Sequence, residues 1–192
     1  MINNIIILLL TLIFFCSCER VKNKGEELVE LSKTEIDKAS KKAWDNTVDF
    51  ALEELSYTEK ITLKDIYSSK GIPELKLVES IQINYPLSFY SCYFKYKADK
   101  VDVLKFLSDL NTAFPDISDS KYQESNGKEI KKNLEFIELK MSKLKKEISF
   151  FFEINSIEKV EYFRCNKYPH ANYLAVDVKN GTIYHLIEKY WD

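Results

Sequence analysis

The sequence predicts an α+β fold: an antiparallel sheet of about five strands packed with two or three long helices. Three observations carry this. Apolar residues recur at helical spacing over about 28–55, 101–110 and 130–148. Period-two alternation occupies 75–97 and 157–189. The strands follow one another with turns between them, and helices do not alternate with single strands, which argues against a parallel α/β fold.

In order along the chain, Leu28, Leu31, Ile36, Ala39, Ala43, Val48, Ala51, Leu52 and Leu55 line one side of an expected amphipathic helix from about 27 to 56. Lys33, Asp37, Lys41 and Asp45 face the other way. A short helical turn is expected over 62–69, ended by Gly71 and Pro73. Residues 75–85 alternate as a strand, Pro86 breaks it, and 87–97 form a second strand in a hairpin. Asp99 is placed to cap a helix whose buried stripe would be Val101, Leu104, Leu107 and Leu110. Residues 114–127 read as a loop. Ile130, Leu134, Ile137, Met141, Leu144 and Ile148 then step by four and three, the seam of a helix expected to pack on a sheet or on the first helix.

Three strands close the chain, at 157–166, 171–178 and 182–189. Asn180-Gly181 suits a two-residue type I′ turn, because both residues tolerate positive φ. That turn would set Val178 opposite Ile183, Val176 opposite His185 and Leu174 opposite Ile187. The other face would carry Tyr173, Ala175, Asp177, Tyr184, Leu186 and Glu188.

Composition narrows function by exclusion. The chain has 192 residues, with 28 Lys+Arg against 30 Asp+Glu and a net charge of -2. This supplies no electrostatic footprint for nucleic acid. The only arginines are Arg20 and Arg164, so bidentate phosphate readout is poorly provided. The four glycines are isolated, and no phosphate-cradling loop can be built from them.

The start of the chain reads as a targeting segment. Ile5 to Cys16 is apolar except for Thr11, and no charge precedes Glu19. The run is shorter than the roughly 20 residues a spanning helix needs, and it suits a secretory signal. Phe15-Cys16-Ser17-Cys18 then resembles the lipobox of bacterial lipoproteins, in which a small residue precedes the modified cysteine. Phe15 stands where leucine is usual. The resemblance implies cleavage after residue 17, lipid on Cys18, and anchorage in the cell envelope. Glu19, in place of the aspartate that favours inner-membrane retention, implies the outer membrane, facing the periplasm. The expected organisation is a signal peptide over 1–17, a lipidated cysteine and tether over 18–26, and one α+β domain over 27–192.

Chemistry is sparse in the remainder. His185 falls among Val176, Ile183 and Ile187 and reads as a core histidine; His170 follows Pro169 in a turn. Cys92, Cys165, His170 and His185 match no zinc spacing. No catalytic residue, metal site or cofactor is expected. Glu26, Glu27 and Glu30 suit a helix N-terminus; Glu53, Glu54, Asp116 and Asp119 read as solvated surface. Export would leave Cys92 and Cys165 in an oxidising compartment, which makes them a candidate disulfide.

The 12 Tyr and 12 Phe are the richer signal. Rings fall on both faces of 87–97, and Tyr173 and Tyr184 fall on the face of the last hairpin away from its apolar seam. If helices cover one side of the sheet only, those two tyrosines are candidate partner-binding residues; the alternative is packing. The expected function is a non-catalytic envelope lipoprotein that binds a protein or cell-wall partner, with an immunity-type inhibitor as a sub-case. The alternative is a small envelope hydrolase using paired carboxylates.

Overall fold

A computed structural model describes residues 52–67, 71–112 and 114–189. The chain divides into two units, Met1–Val48 and Asp49–Asp192, and every described residue belongs to the second. The signal segment, the lipobox with Cys18, the tether and most of the first helix lie outside the described residues. Of that helix, only residues 52–55 are described, and they are helical.

The architecture is α+β around one antiparallel sheet of seven strands rather than five. The strands are β1 (Tyr57–Glu59), β2 (Lys76–Asn84), β3 (Tyr90–Lys97), β4 (Gln123–Ser125), β5 (Val160–Lys167), β6 (His170–Asp177) and β7 (Thr182–Lys189). Their order across the sheet is β1-β2-β3-β7-β6-β5-β4. The two extra strands are the edges. Each has three residues, too few for period-two alternation to register, and both come from stretches without a strand pattern.

The helices are α1 (Leu63–Ile66), α2 (Lys100–Asp109), α3 (Lys128–Lys140) and α4 (Ser142–Lys145). Asp99 caps α2 as its position suggests, accepting from the backbone N–H groups of Val101 and Asp102. The buried stripe of α2 is Val103, Leu104, Phe106 and Leu107, while Val101 is 65% exposed. The seam of α3 is buried from Ile130 to Ile148, although the helix itself breaks at Met141. Beyond it, Ser149–Ser156 forms a 3-10 helix that inserts Phe150, Phe151 and Ile154 into the core. Such helices seldom exceed a turn or so; this one is held by the burial of its aromatic residues.

These elements cover both faces of the sheet. On one face, α2, Leu63 and Tyr67 pack on Cys92, Phe94 and Tyr96 of β3, Phe163 and Cys165 of β5, and Ile183 and Ile187 of β7. On the other, α3, α4 and the 3-10 helix pack on Ile83, Tyr93, Ala175, Tyr184 and Leu186. This double cover explains why β3 and β7 carry large side chains on alternate positions of both faces.

The β6–β7 turn departs from the expected register. Val176 pairs with Ile183, Leu174 with His185 and Asn172 with Ile187, a shift of two residues. The Asp177 side chain accepts from the backbone of Lys179 and Asn180, and Gly181 N–H reaches back to the Asp177 carbonyl. Residues 178–181 therefore form a longer loop, and Val178 is 42% exposed instead of facing Ile183. Because the shift is even, each side chain keeps its face.

Candidate functional site

The second helical layer covers Tyr184 and partly covers Tyr173, the two residues expected to face a partner. Tyr184 is 4% exposed, and its ring meets Phe151 edge-on at 5.9 Å. Its hydroxyl donates to Glu153 at 3.2 Å. Tyr173 is half-buried and packs against the same core. Tyr184 is a packing residue, and Tyr173 is packed on one side only.

The candidate disulfide is also corrected. Cys92 pairs across the sheet with Ile187, Ile187 with Asn172, and Asn172 with Cys165. The thiols thus stand on one row, three strand spacings or about 14 Å apart. A bridge needs Cα atoms within about 7 Å. Both cysteines are buried and free. Cys92 Sγ donates to Gln82 Oε1 at 3.3 Å and Cys165 Sγ to the Leu107 carbonyl at 3.6 Å. Burial lifts both thiols above their ordinary pKa, Cys165 to about 11.

His185 is a satisfied core histidine. Its ring bonds Asn172 at 2.9 Å and Tyr96 at 3.1 Å, and burial lowers its pKa to about 3. His170 bonds the Tyr90 hydroxyl at 2.6 Å, and burial, then Lys189, lowers its pKa. Among the described residues, no three His, Cys, Asp or Glu side chains gather for a metal ion. Of the acids singled out in the sequence, Glu26, Glu27 and Glu30 lie outside the described residues, and Glu53, Glu54 and Asp119 make contacts within the fold. Glu53 accepts from Lys143 N–H at 2.8 Å and Glu54 pairs with the Lys143 ammonium. Asp119 accepts from Asn166 N–H at 2.8 Å, tying its loop to β5, and Asp116 is exposed.

The feature with binding chemistry lies elsewhere, in an open cavity of about 590 Å³ between α3 and the ends of β2, β3 and β7. Its location follows from the packing. Glu188, near the end of β7, lies beside Ser91 of β3 on one side and Ala171 of β6 on the other. Neither small neighbour fills the space over the strand ends. The seam of α3 covers the middle of the sheet, and its adjacent stripe (Glu129, Lys132, Asn133 and Phe136, spaced for one helix side) lines the opening. Leu52, Tyr85, Phe89 and Tyr90 complete the apolar walls.

A hydrogen-bonded chain sets the polar side of this cavity. The buried Tyr93 hydroxyl donates to Asn133 Oδ1 at 2.7 Å. Asn133 Nδ2 in turn donates to Glu188 Oε1 at 2.8 Å. Burial raises the Glu188 pKa above the usual carboxylate value; the Asn133 bond opposes this and nearby Glu129 adds to it. The Tyr85 hydroxyl is buried without a hydrogen bond of good geometry, although the Ser91 and Tyr93 hydroxyls stand near it. Sequence reasoning put Glu188 on this face but did not single it out. The available signal was a carboxylate following Tyr184 and Leu186 on an apolar face, and an asparagine beside the α3 seam.

The fold and site define a three-layer α+β domain with an aromatic-walled cavity over a half-buried carboxylate. No protein-family model, curated protein or solved structure matches this chain.

Proposed function

We propose that the chain is a cell-envelope lipoprotein, anchored through lipid on Cys18, whose domain is a non-catalytic binding module. The observation that carries the binding reading is the cavity over Glu188. Its volume of about 590 Å³ falls in the range of small-ligand sites, and apolar walls with few convergent polar groups are what such sites use. Its polar groups stand on strands and on α3, so they are held in place before a ligand arrives. The anchoring reading rests on the resemblance of residues 15–18 to a lipobox.

Detergent phase partition of wild type and Cys18→Ala, together with mass spectrometry of the N-terminal peptide, tests the anchor. Wild type should enter the detergent phase with an acylated Cys18, and the variant should remain uncut and unacylated. Normal cleavage of the variant would reject the lipidation. A second reading, hydrolysis by paired carboxylates, is favoured by Glu188 with its raised pKa beside Glu129. Turnover of cell-wall glycan by wild type, abolished in both Glu129→Gln and Glu188→Gln, would establish that reading instead.

A further inference from the structure

We propose that the cavity beneath α3 takes a small organic cation, a single ammonium group on an apolar body, with the ammonium against Glu188 and the body against the aromatic walls. This rests on reading the domain as a binding module. The central observation is a largely covered carboxylate whose hydrogen-bond donor is the neutral amide of Asn133. No lysine or arginine among the described residues pairs with it. A covered carboxylate without a cation is costly, and a ligand's ammonium would supply the missing charge through charge-assisted hydrogen bonds.

A further feature suits the same chemistry. Phe89, Tyr90 and Phe136 line the space, and aromatic faces attract a desolvated cation. The other charged groups lining the cavity are Glu129 and Lys132 from α3 and Lys189 from β7. Two acids and two lysines cancel at a distance, so the preference for a cation is local to Glu188. Lys132 is exposed, where solvent screens it; Glu188 is half-buried and screened less, and Lys189, the next residue on β7, points to the opposite face of the sheet.

The test uses three probes built on a phenyl ring with a short arm: 2-phenylethylammonium, 2-phenylethanol and phenylacetate. Each is titrated calorimetrically into the detergent-solubilised full chain near neutral pH. The ammonium should bind at least about tenfold more tightly than the alcohol, the margin expected of a bond to a charged group. Phenylacetate should bind worst. Glu188→Gln, which keeps an oxygen for Asn133, should erase the preference for the ammonium while leaving the alcohol's affinity. In wild type, ammonium binding should weaken as pH falls through the Glu188 titration, so the inference does not depend on the variant alone. Equal affinities for ammonium and alcohol, or a preference unchanged by Glu188→Gln, would overturn the cation while leaving the cavity as a binding site. No binding of any probe would overturn both.

Discussion

The Tyr96 hydroxyl lies 3.1 Å from His185 Nδ1, and this contact is part of a buried relay with one consistent set of donors. Asn172 Nδ2 donates to the Cys165 carbonyl at 3.0 Å, which orients the amide. Asn172 Oδ1 then accepts from the Tyr67 hydroxyl at 2.6 Å and from His185 Nε2–H at 2.9 Å. Nδ1 is left as the acceptor for Tyr96. A neutral imidazole thus satisfies every polar group of the relay, and an imidazolium would leave one N–H facing a hydroxyl that must reverse.

Acid should therefore destabilise the domain through His185. Its folded pKa of about 3 lies below the ordinary value of about 6.5, so the unfolded chain binds the proton more readily. The contribution is fully present above pH about 6.5 and is lost as pH falls toward 3, at up to about 1.4 kcal/mol per pH unit. His170, also lowered, acts in the same direction. Glu188, raised, acts in the opposite one. Chemical denaturation from pH 7.5 to 4 should show the loss, and a stability flat across that window would contradict it.

Asn172→Ala should cost on the order of 3 kcal/mol. It strands two buried donors, the Tyr67 hydroxyl and His185 Nε2–H, each worth about 1–3 kcal/mol when left without an acceptor. Urea midpoints of variant and wild type provide the check. A loss below about 1 kcal/mol would mean that the relay contributes little to stability.

Cys92 and Cys165 should remain thiols under mild oxidation. With a row of Ile187 and Asn172 between them, intramolecular bridging requires the sheet to open. A thiol reagent should label neither in the native protein and both in denaturant, because each is buried and held protonated. A 92–165 disulfide peptide from non-reduced protein would contradict the row.

Much of this architecture was legible because its long elements bury one clear stripe or alternate cleanly. The α3 seam and the strands after residue 157 are of that kind. The edge strands were not, since three residues carry no period. The pairing of the last hairpin was displaced by the Asp177 side chain, which binds two loop amides and extends the turn that Asn180-Gly181 alone would close in two residues. The site was obscured for a different reason. Tyr184 looked available only under the assumption of one helical layer, while Glu188 and Asn133 are distant in sequence and meet only once α3 lies over β7.

Phe151→Ala should be among the most damaging single changes. The side chain is fully buried, with Tyr93 edge-on at 5.2 Å and Tyr184 at 5.9 Å. Truncating a core phenylalanine costs about 3–5 kcal/mol. Leu139→Ala, at a position 78% exposed on α3, should cost under about 0.5 kcal/mol. Similar losses for the two would mean that the 3-10 helix is not docked as described.

Two of the three positive-φ glycines among the described residues, Gly127 and Gly181, should respond unequally to alanine. Gly127 has φ +71 and Gly181 φ +69, so both substitutions carry the cost of placing a side chain in that region, about 1 kcal/mol. At Gly181 an added Cβ meets nothing within 4 Å, and the cost should stop there. At Gly127, which starts α3, the Cβ would come within 2.5 Å of the Tyr162 ring. The ring is half-buried beside the same core, so it must shift or α3 must lift, and overpacking of this kind adds about 1–3 kcal/mol. Gly127→Ala should therefore lower the melting temperature well beyond Gly181→Ala. Combining it with Tyr162→Ala should recover the excess relative to Tyr162→Ala alone, because the clash is then gone and only the backbone cost remains. An equal loss for the two single glycine variants would show that Tyr162 yields freely and does not constrain the start of the helix that roofs the cavity.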